Sequence, residues 1–141
     1  MRFRFPVVII DEDFRSENAS GLGIRALAKA LEDEGMEILG VTSYGDLSSF
    51  AQQQSRASGF ILSVDDDDFS SGETEETIAE LRAFVQEIRH GNTDIPIFLY
   101  GETRTSRHIP NDVLRELHGF IHMFEDTPEF VARLIMRETK A

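Results

Sequence analysis

Gly59-Phe60-Ile61-Leu62-Ser63-Val64 runs directly into Asp65-Asp66-Asp67-Asp68. A short, nearly continuous apolar run that stops at four carboxylates reads as a strand of a parallel sheet, covered on both faces and ending at solvent. Similar runs recur at Pro6-Val7-Val8-Ile9-Ile10, Glu37-Ile38-Leu39-Gly40-Val41, Ile95-Pro96-Ile97-Phe98-Leu99-Tyr100 and Gly119-Phe120-Ile121-His122-Met123-Phe124. Five strands are therefore expected, the 59–64 run being the third.

The segments between them carry a helical period. Ile24, Leu27, Ala28 and Leu31 fall on one face, as do Ile78, Leu81, Val85 and Ile88 in a longer acid-rich stretch. Asp46 is placed to cap a helix from about Leu47 to Arg56, and a short helix begins near Pro110. The last helix has the clearest start: Thr127 as cap, Pro128 in the first position and Glu129 at the positive end of the dipole, with Phe130, Val131, Leu134 and Ile135 expected along one face. It reaches Lys140-Ala141 with no Gly or Pro to stop it, which reads as a piece cut from a longer polypeptide. Strict alternation of strand and helix implies right-handed crossovers and helices on both faces. The expected fold is α/β, a flavodoxin- or receiver-like doubly wound five-stranded parallel sheet of order 2-1-3-4-5. The biased stretch from Asp65 to Glu76 reads as a mobile, solvated loop.

Composition narrows the function classes. A chain of 141 residues, 40% hydrophobic, makes one domain with a real core. It has no cysteine, so no disulfide, thiolate metal site or cysteine nucleophile is available, and a cytoplasmic setting is expected. No apolar run approaches the roughly 20 residues of a membrane span, and Met1-Arg2-Phe3-Arg4-Phe5-Pro6 lacks the features of a signal peptide. A net charge of −12, with 14 Lys and Arg scattered among 26 acids, repels phosphate backbones. Neither nucleic acid nor a membrane is expected as a partner.

The strand end Ile9-Ile10-Asp11-Glu12 and the third strand resemble the receiver domains of response regulators. A receiver needs an acidic pair after strand one, an Asp at the tip of strand three, a hydroxyl after strand four and a Lys after strand five. The acidic pair is present, with Asp13 as a third carboxylate. The acceptor position falls on Val64, with Asp65 one residue late, and a shift by one residue turns a side chain to the other face. The hydroxyl position is Gly101 and the lysine position is Met123; the chain's two lysines are Lys29 and Lys140. An aspartyl phosphate depends on charge-assisted contacts from metal and lysine, so the expectation is a receiver fold without phosphotransfer. Asp11, Glu12, Asp13 and Asp65 have the oxygen chemistry to hold Mg²⁺ and equally the look of solvated strand ends, and no metal ligand is assigned.

Three other features carry residue types with binding chemistry. Gly21-Leu22-Gly23-Ile24-Arg25-Ala26 fits a dinucleotide-binding pattern, but lies about ten residues beyond strand one, behind Asp11, Glu12, Asp13 and Glu17, and reads as the start of a helix. His118 and His122 are four apart but straddle Gly119 where helix gives way to strand. Arg104, Arg107 and His108 concentrate positive charge after strand four, where doubly wound folds bind ligands, and read first as a solvated loop. No catalytic, cofactor-binding or metal-binding residue is assigned.

Ile95 to Thr103, followed by Gly119-Phe120-Ile121-His122-Met123-Phe124-Glu125-Asp126-Thr127-Pro128-Glu129-Phe130-Val131, resembles the N-terminal domain of the bacterial ornithine/lysine/arginine decarboxylases. The Glu125-Asp126-Thr127 junction is the most specific part. Ser20-Gly21-Leu22-Gly23 and Glu34-Gly35-Met36 extend the likeness across essentially the whole chain. The resemblance implies that residues 1–141 form a single receiver-like wing domain of a larger enzyme dependent on pyridoxal phosphate. It implies an assembly role between protomers, partners in the other domains and protomers of that enzyme, and homo-oligomerisation of the whole. The family's cofactor lysine would lie beyond residue 141. Some relatives bind an alarmone between dimers, a site to which the Arg104–His108 loop could add charge. The alternative is a stand-alone atypical receiver that signals by partner binding, with Asp65 as a displaced acceptor; a flavin-binding enzyme is weaker, because no phosphate loop follows strand one.

Overall fold

The apolar runs pair side by side in parallel register. The computed structural model describes residues 7–11, 14–41, 59–64, 74–91, 95–101, 109–122 and 126–139. In chain order the elements are β1 (Val7–Ile10), α1 (Ala19–Asp33), β2 (Ile38–Val41), β3 (Gly59–Ser63), α2 (Thr74–Gly91), β4 (Ile97–Gly101), α3 (Asn111–Leu114), β5 (Gly119–His122) and α4 (Pro128–Thr139). They form one sheet of order β2-β1-β3-β4-β5, the doubly wound order expected. Val8 pairs with Phe60 and Leu39, Leu62 with Leu99, and Tyr100 with Ile121.

Alternation along each strand divides the side chains between two cores. Val8, Ile10, Phe60, Leu62, Val64, Ile97 and Leu99 pack with Leu81, Phe84, Val85 and Ile88 of α2 and Val113 of α3. On the opposite face Val7, Ile9, Ile61, Phe98, Tyr100 and Ile121 pack with Ile24, Leu27, Ala28 and Leu31 of α1 and Val131, Ala132 and Ile135 of α4. The helices thus cover both faces, as a parallel sheet requires.

Local signals set the helix ends. The Asn18 side chain accepts from the Gly21 N–H at 2.8 Å and starts α1. At its end Gly35 adopts φ 95°, which a residue with a Cβ adopts only at a cost. This turn lets the Met36 N–H reach the Leu31 carbonyl at 3.1 Å while the Met36 side chain is buried. Pro96 lies outside β4 because it has no N–H for the ladder, yet its carbonyl accepts from the Phe60 N–H at 2.9 Å. The Thr127 hydroxyl accepts from the Phe130 N–H at 3.3 Å and caps α4, as its sequence indicates.

Two expectations change. Thr74, Glu75 and Glu76 belong to the first turn of α2, not to a loop, and the two glutamates favour the positive end of its dipole. Phe130 does not share the buried face of α4: it is 61% exposed, while Val131, Ala132 and Ile135 are buried and Leu134 is half-buried. At 100° per residue, the arc centred between Val131 and Ala132 leaves Phe130 on the outer side. The helix expected from Leu47 to Arg56 and the segment from Asp65 to Gly72 lie outside the described residues.

This division of α4 is testable by urea denaturation. Ile135→Ala, at a fully buried position, should cost about 2–5 kcal/mol. Phe130→Ser should change stability by no more than about 0.5 kcal/mol; equal losses would contradict the assignment of faces.

Candidate functional site

Doubly wound sheets place ligand sites outside the carboxyl ends of their strands. Here that edge is built by Asp11 after β1, Ser63 and Val64 at the end of β3, and Tyr100 and Gly101 at the end of β4. The Asp11 N–H donates to the Val41 carbonyl at 3.0 Å and its carbonyl accepts from the Phe14 N–H at 3.0 Å, so the chain turns while still tied to the sheet. Asp11 is only 2% exposed. Ile10 pairs with Leu62 and Ser63 with Tyr100, so the next step along the register sets Asp11, Ser63 and Tyr100 in a row across three strands, on the α1–α4 face. Burial pushes the Tyr100 phenol up, and the negative charge of Asp11 adds to it, to a pKa of about 12.

Val64 occupies the place where a receiver carries its acceptor carboxylate. Its N–H donates to the Tyr100 carbonyl at 2.9 Å, and its side chain, 3% exposed, packs in the α2 core. A carboxylate there would be moved out of water into an apolar core, at a cost in free energy. The hydroxyl position is closed by the same residue. A Cβ on Gly101 would stand 2.8 Å from the Val64 carbonyl oxygen and 3.0 Å from Val64 Cγ2. Serine or threonine would therefore have to displace backbone, a cost absent from the sequence pattern.

The described part of the β1–α1 connection, from Phe14 onward, is pinned to the helix. Arg25 Nη1 donates to the carbonyls of Phe14 and Ser16, both at 2.7 Å. The Phe14 ring fills the space beside Gly40 of β2, where an added Cβ would come within 2.5 Å of it. Gly21 and Gly23 lie inside the first turns of α1, not in a turn after β1, so the dinucleotide-like pattern is a helix start.

The remaining candidates do not converge. The His118 Nδ1 accepts from the Ile97 N–H at 3.4 Å, while the His118 N–H donates to the Ile97 carbonyl at 2.7 Å, joining the start of β4 to β5. The His122 N–H instead donates to Asp126 Oδ2 at 2.9 Å, and its ring lies against Phe120. Among the described residues no three His, Asp or Glu side chains are grouped to hold a metal. Glu12, Asp13, Asp65, Arg104, Arg107, His108 and Met123 lie outside the described residues. Lys29 is exposed on α1 and Lys140 lies outside the described residues. A pyridoxal Schiff base needs a lysine in an enclosed site with an acidic partner, and the described residues do not fit that group.

A second feature was not legible from spacing: a cleft of about 550 Å³ between α2 and α3, lined by Arg82, Arg89, His90, Asp112, Arg115 and Glu116 around Val85 and Val113. Arg82 Nε donates to Asp112 Oδ2 at 2.7 Å and Nη2 to Oδ1 at 3.2 Å, which holds the Asp112 carboxyl below its usual range. Arg89 reaches Glu116 Oε2 at 3.2 Å and the Ile95 carbonyl at 2.7 Å.

The Asp11–Tyr100 pair has a pH signature. The phenol's pKa is raised in the folded state, to about 12 from 10.0, so its contribution to stability is complete below pH 10 and is lost as pH rises toward 12. Ultraviolet titration should show one phenol ionising near 12, absent in Tyr100→Phe. Asp11→Asn should lower that value only part of the way to 10.0, because burial is the larger cause; full reversion would contradict this ordering.

Comparison with known proteins agrees with the geometry. The model of the Orn/Lys/Arg decarboxylase N-terminal domain matches residues 19–141. Lysine decarboxylase LdcA of Pseudomonas aeruginosa is 26% identical over 140 residues, which are 97% of this chain and 18% of that protein. The solved structure of lysine decarboxylase A from Pseudomonas aeruginosa has a TM-score of 0.77 at 25% identity, covering 98% of this chain and 18% of that one. HP1043, an orphan response regulator of H. pylori, is similar over 99% of this chain and 100% of its own, with a TM-score of 0.62 and 14% identity, a likeness of fold alone. The chain therefore spans 18% of the length of the curated relative it matches. With 123 of its 141 residues matched by one family model, the chain belongs to the Orn/Lys/Arg decarboxylase N-terminal domain family.

Proposed function

We propose that this chain is the non-catalytic N-terminal domain of a larger, pyridoxal-phosphate-dependent basic amino-acid decarboxylase, and that it serves the assembly of that enzyme. The observation that carries the reading is the family match over residues 19–141, together with a relative of which the chain covers only 18%. Two further features support it. The carboxyl edge has Val64 and Gly101 where phosphotransfer needs a carboxylate and a hydroxyl. Lys29 stands exposed on a helix, in no enclosed site for a Schiff base. The cofactor and substrate pocket belong to the rest of the parent polypeptide, and the domain's partners are the other domains and protomers of that polypeptide. The protein works in the cytoplasm.

The alternative, a free-standing receiver acting by partner binding, draws on the fold shared with HP1043. Acetyl phosphate with Mg²⁺ separates the two: no phosphoryl adduct should form, and a stable one on Asp65 would favour the receiver.

Removal of residues 1–141 from the parent should leave pyridoxal phosphate bound and decarboxylation measurable. The particle seen by size-exclusion chromatography with light scattering should fall to a smaller oligomer. Loss of cofactor binding with unchanged assembly would overturn the proposal.

A further inference from the structure

The cleft between α2 and α3 has an ordered lining. Along α2, Arg82, Val85, Gln86 and Arg89 fall three and four residues apart and share one face. Opposite them Asp112, Arg115 and Glu116 follow the same spacing, from α3 into the turn after it. Both ends of the α2 stripe are tied across the cleft. Arg82 holds Asp112 through two nitrogens, and Arg89 holds the carboxylate and the carbonyl of Glu116. The Arg89 side chain, only 13% exposed, is fixed further by the Ile95 carbonyl. These contacts set the two walls in place and leave the groups between them free to meet a ligand.

Those groups are Gln86 and Arg115. Both are exposed, and neither side chain has a hydrogen-bond or ion-pair partner among the described residues. Three guanidinium groups and two carboxylates line the cleft, so one positive charge stays uncompensated on a chain of net charge −12. A guanidinium presents a planar fork of donors that matches a carboxylate, and the Gln86 amide adds another donor. Val85 and Val113, with the methylene stems of Arg82 and Arg89, supply an apolar floor. The volume of about 550 Å³ is that of a small-molecule site. Charge selects among small molecules. One negative charge neutralises the excess, whereas a phosphate, carrying about 1.5–2 negative charges, is repelled by Asp112 and Glu116. An amino acid brings its ammonium group toward three guanidinium groups.

We propose that the cleft between α2 and α3 is a binding site for a small organic monocarboxylate with an aliphatic body. The carboxylate sits on Arg115 and Gln86, and the body lies against Val85 and Val113. The site goes beyond the assembly reading and does not depend on it. Its charged groups face water, so binding is weak, with a dissociation constant on the order of 1 mM for a ligand of so few atoms.

The test is a titration of the 141-residue chain with 3-methylbutanoate at constant ionic strength, followed through its backbone amide signals by nuclear magnetic resonance. Saturable shifts are expected at residues 85–90 and 112–116. Arg115→Gln and Gln86→Glu, both at exposed positions, should leave the urea midpoint unchanged and weaken binding by about tenfold. Inorganic phosphate and L-valine should bind more weakly than 3-methylbutanoate by about fivefold or more. Shifts that do not saturate, or that spread over the surface away from the cleft, would overturn the site. Binding indifferent to Arg115→Gln, or phosphate or L-valine bound as tightly as 3-methylbutanoate, would overturn it equally.

Discussion

β3 is the strand on which both cores depend. Phe60, Leu62 and Val64 enter the α2–α3 side, and Ile61 enters the α1–α4 side. Complete burial of such a side chain contributes about 1.5–3 kcal/mol, so the five residues from Gly59 to Ser63 and the following Val64 cannot shift register without exchanging two cores at once. The register has a chemical consequence. It directs Val64 into the apolar interior and brings its carbonyl against Gly101. The packing that secures the fold thereby occupies the two positions where a receiver keeps its acceptor and its hydroxyl.

The periphery is tied down by polar contacts that are few and specific. Arg25 holds the carbonyls of Phe14 and Ser16, tying the chain ahead of α1 to the helix. Arg89 joins α2 to the Ile95 carbonyl and to both the carboxylate and carbonyl of Glu116. Each arginine binds carbonyl oxygens of chain segments remote from it, so its loss would free backbone as well as remove charge.

Much of the fold was legible because its signals are local. Ile24, Leu27, Ala28 and Leu31, or Leu81, Val85 and Ile88, declare a helix face by spacing alone, and all are buried. The five strands announce themselves by continuous apolar character, and the Thr127-Pro128-Glu129 start of α4 stands as read. Phe130 was misplaced because a run of Phe-Val leaves two choices for the centre of the buried arc, and packing against α1 decides between them. Thr74 to Glu76 looked like a loop because acids and hydroxyls resemble solvated linkers, although they also favour the first turn of a helix.

Nonlocal features were the ones sequence could not supply. Arg82 meets Asp112 across 30 positions, and Phe14 meets Gly40 across the sheet edge. The candidate site was legible in what the chain lacks, the acceptor at 64 and the hydroxyl at 101, but not in why; the answer is the Val64 carbonyl and the α2 core. The most direct measurement is of the native polypeptide, captured from its source with an antibody to this domain, for intact mass and visible absorbance. A product several times larger than the 16.0 kDa of this chain, with the absorbance of a pyridoxal Schiff base, is the predicted result. A native product ending near Ala141 without that absorbance would contradict the account.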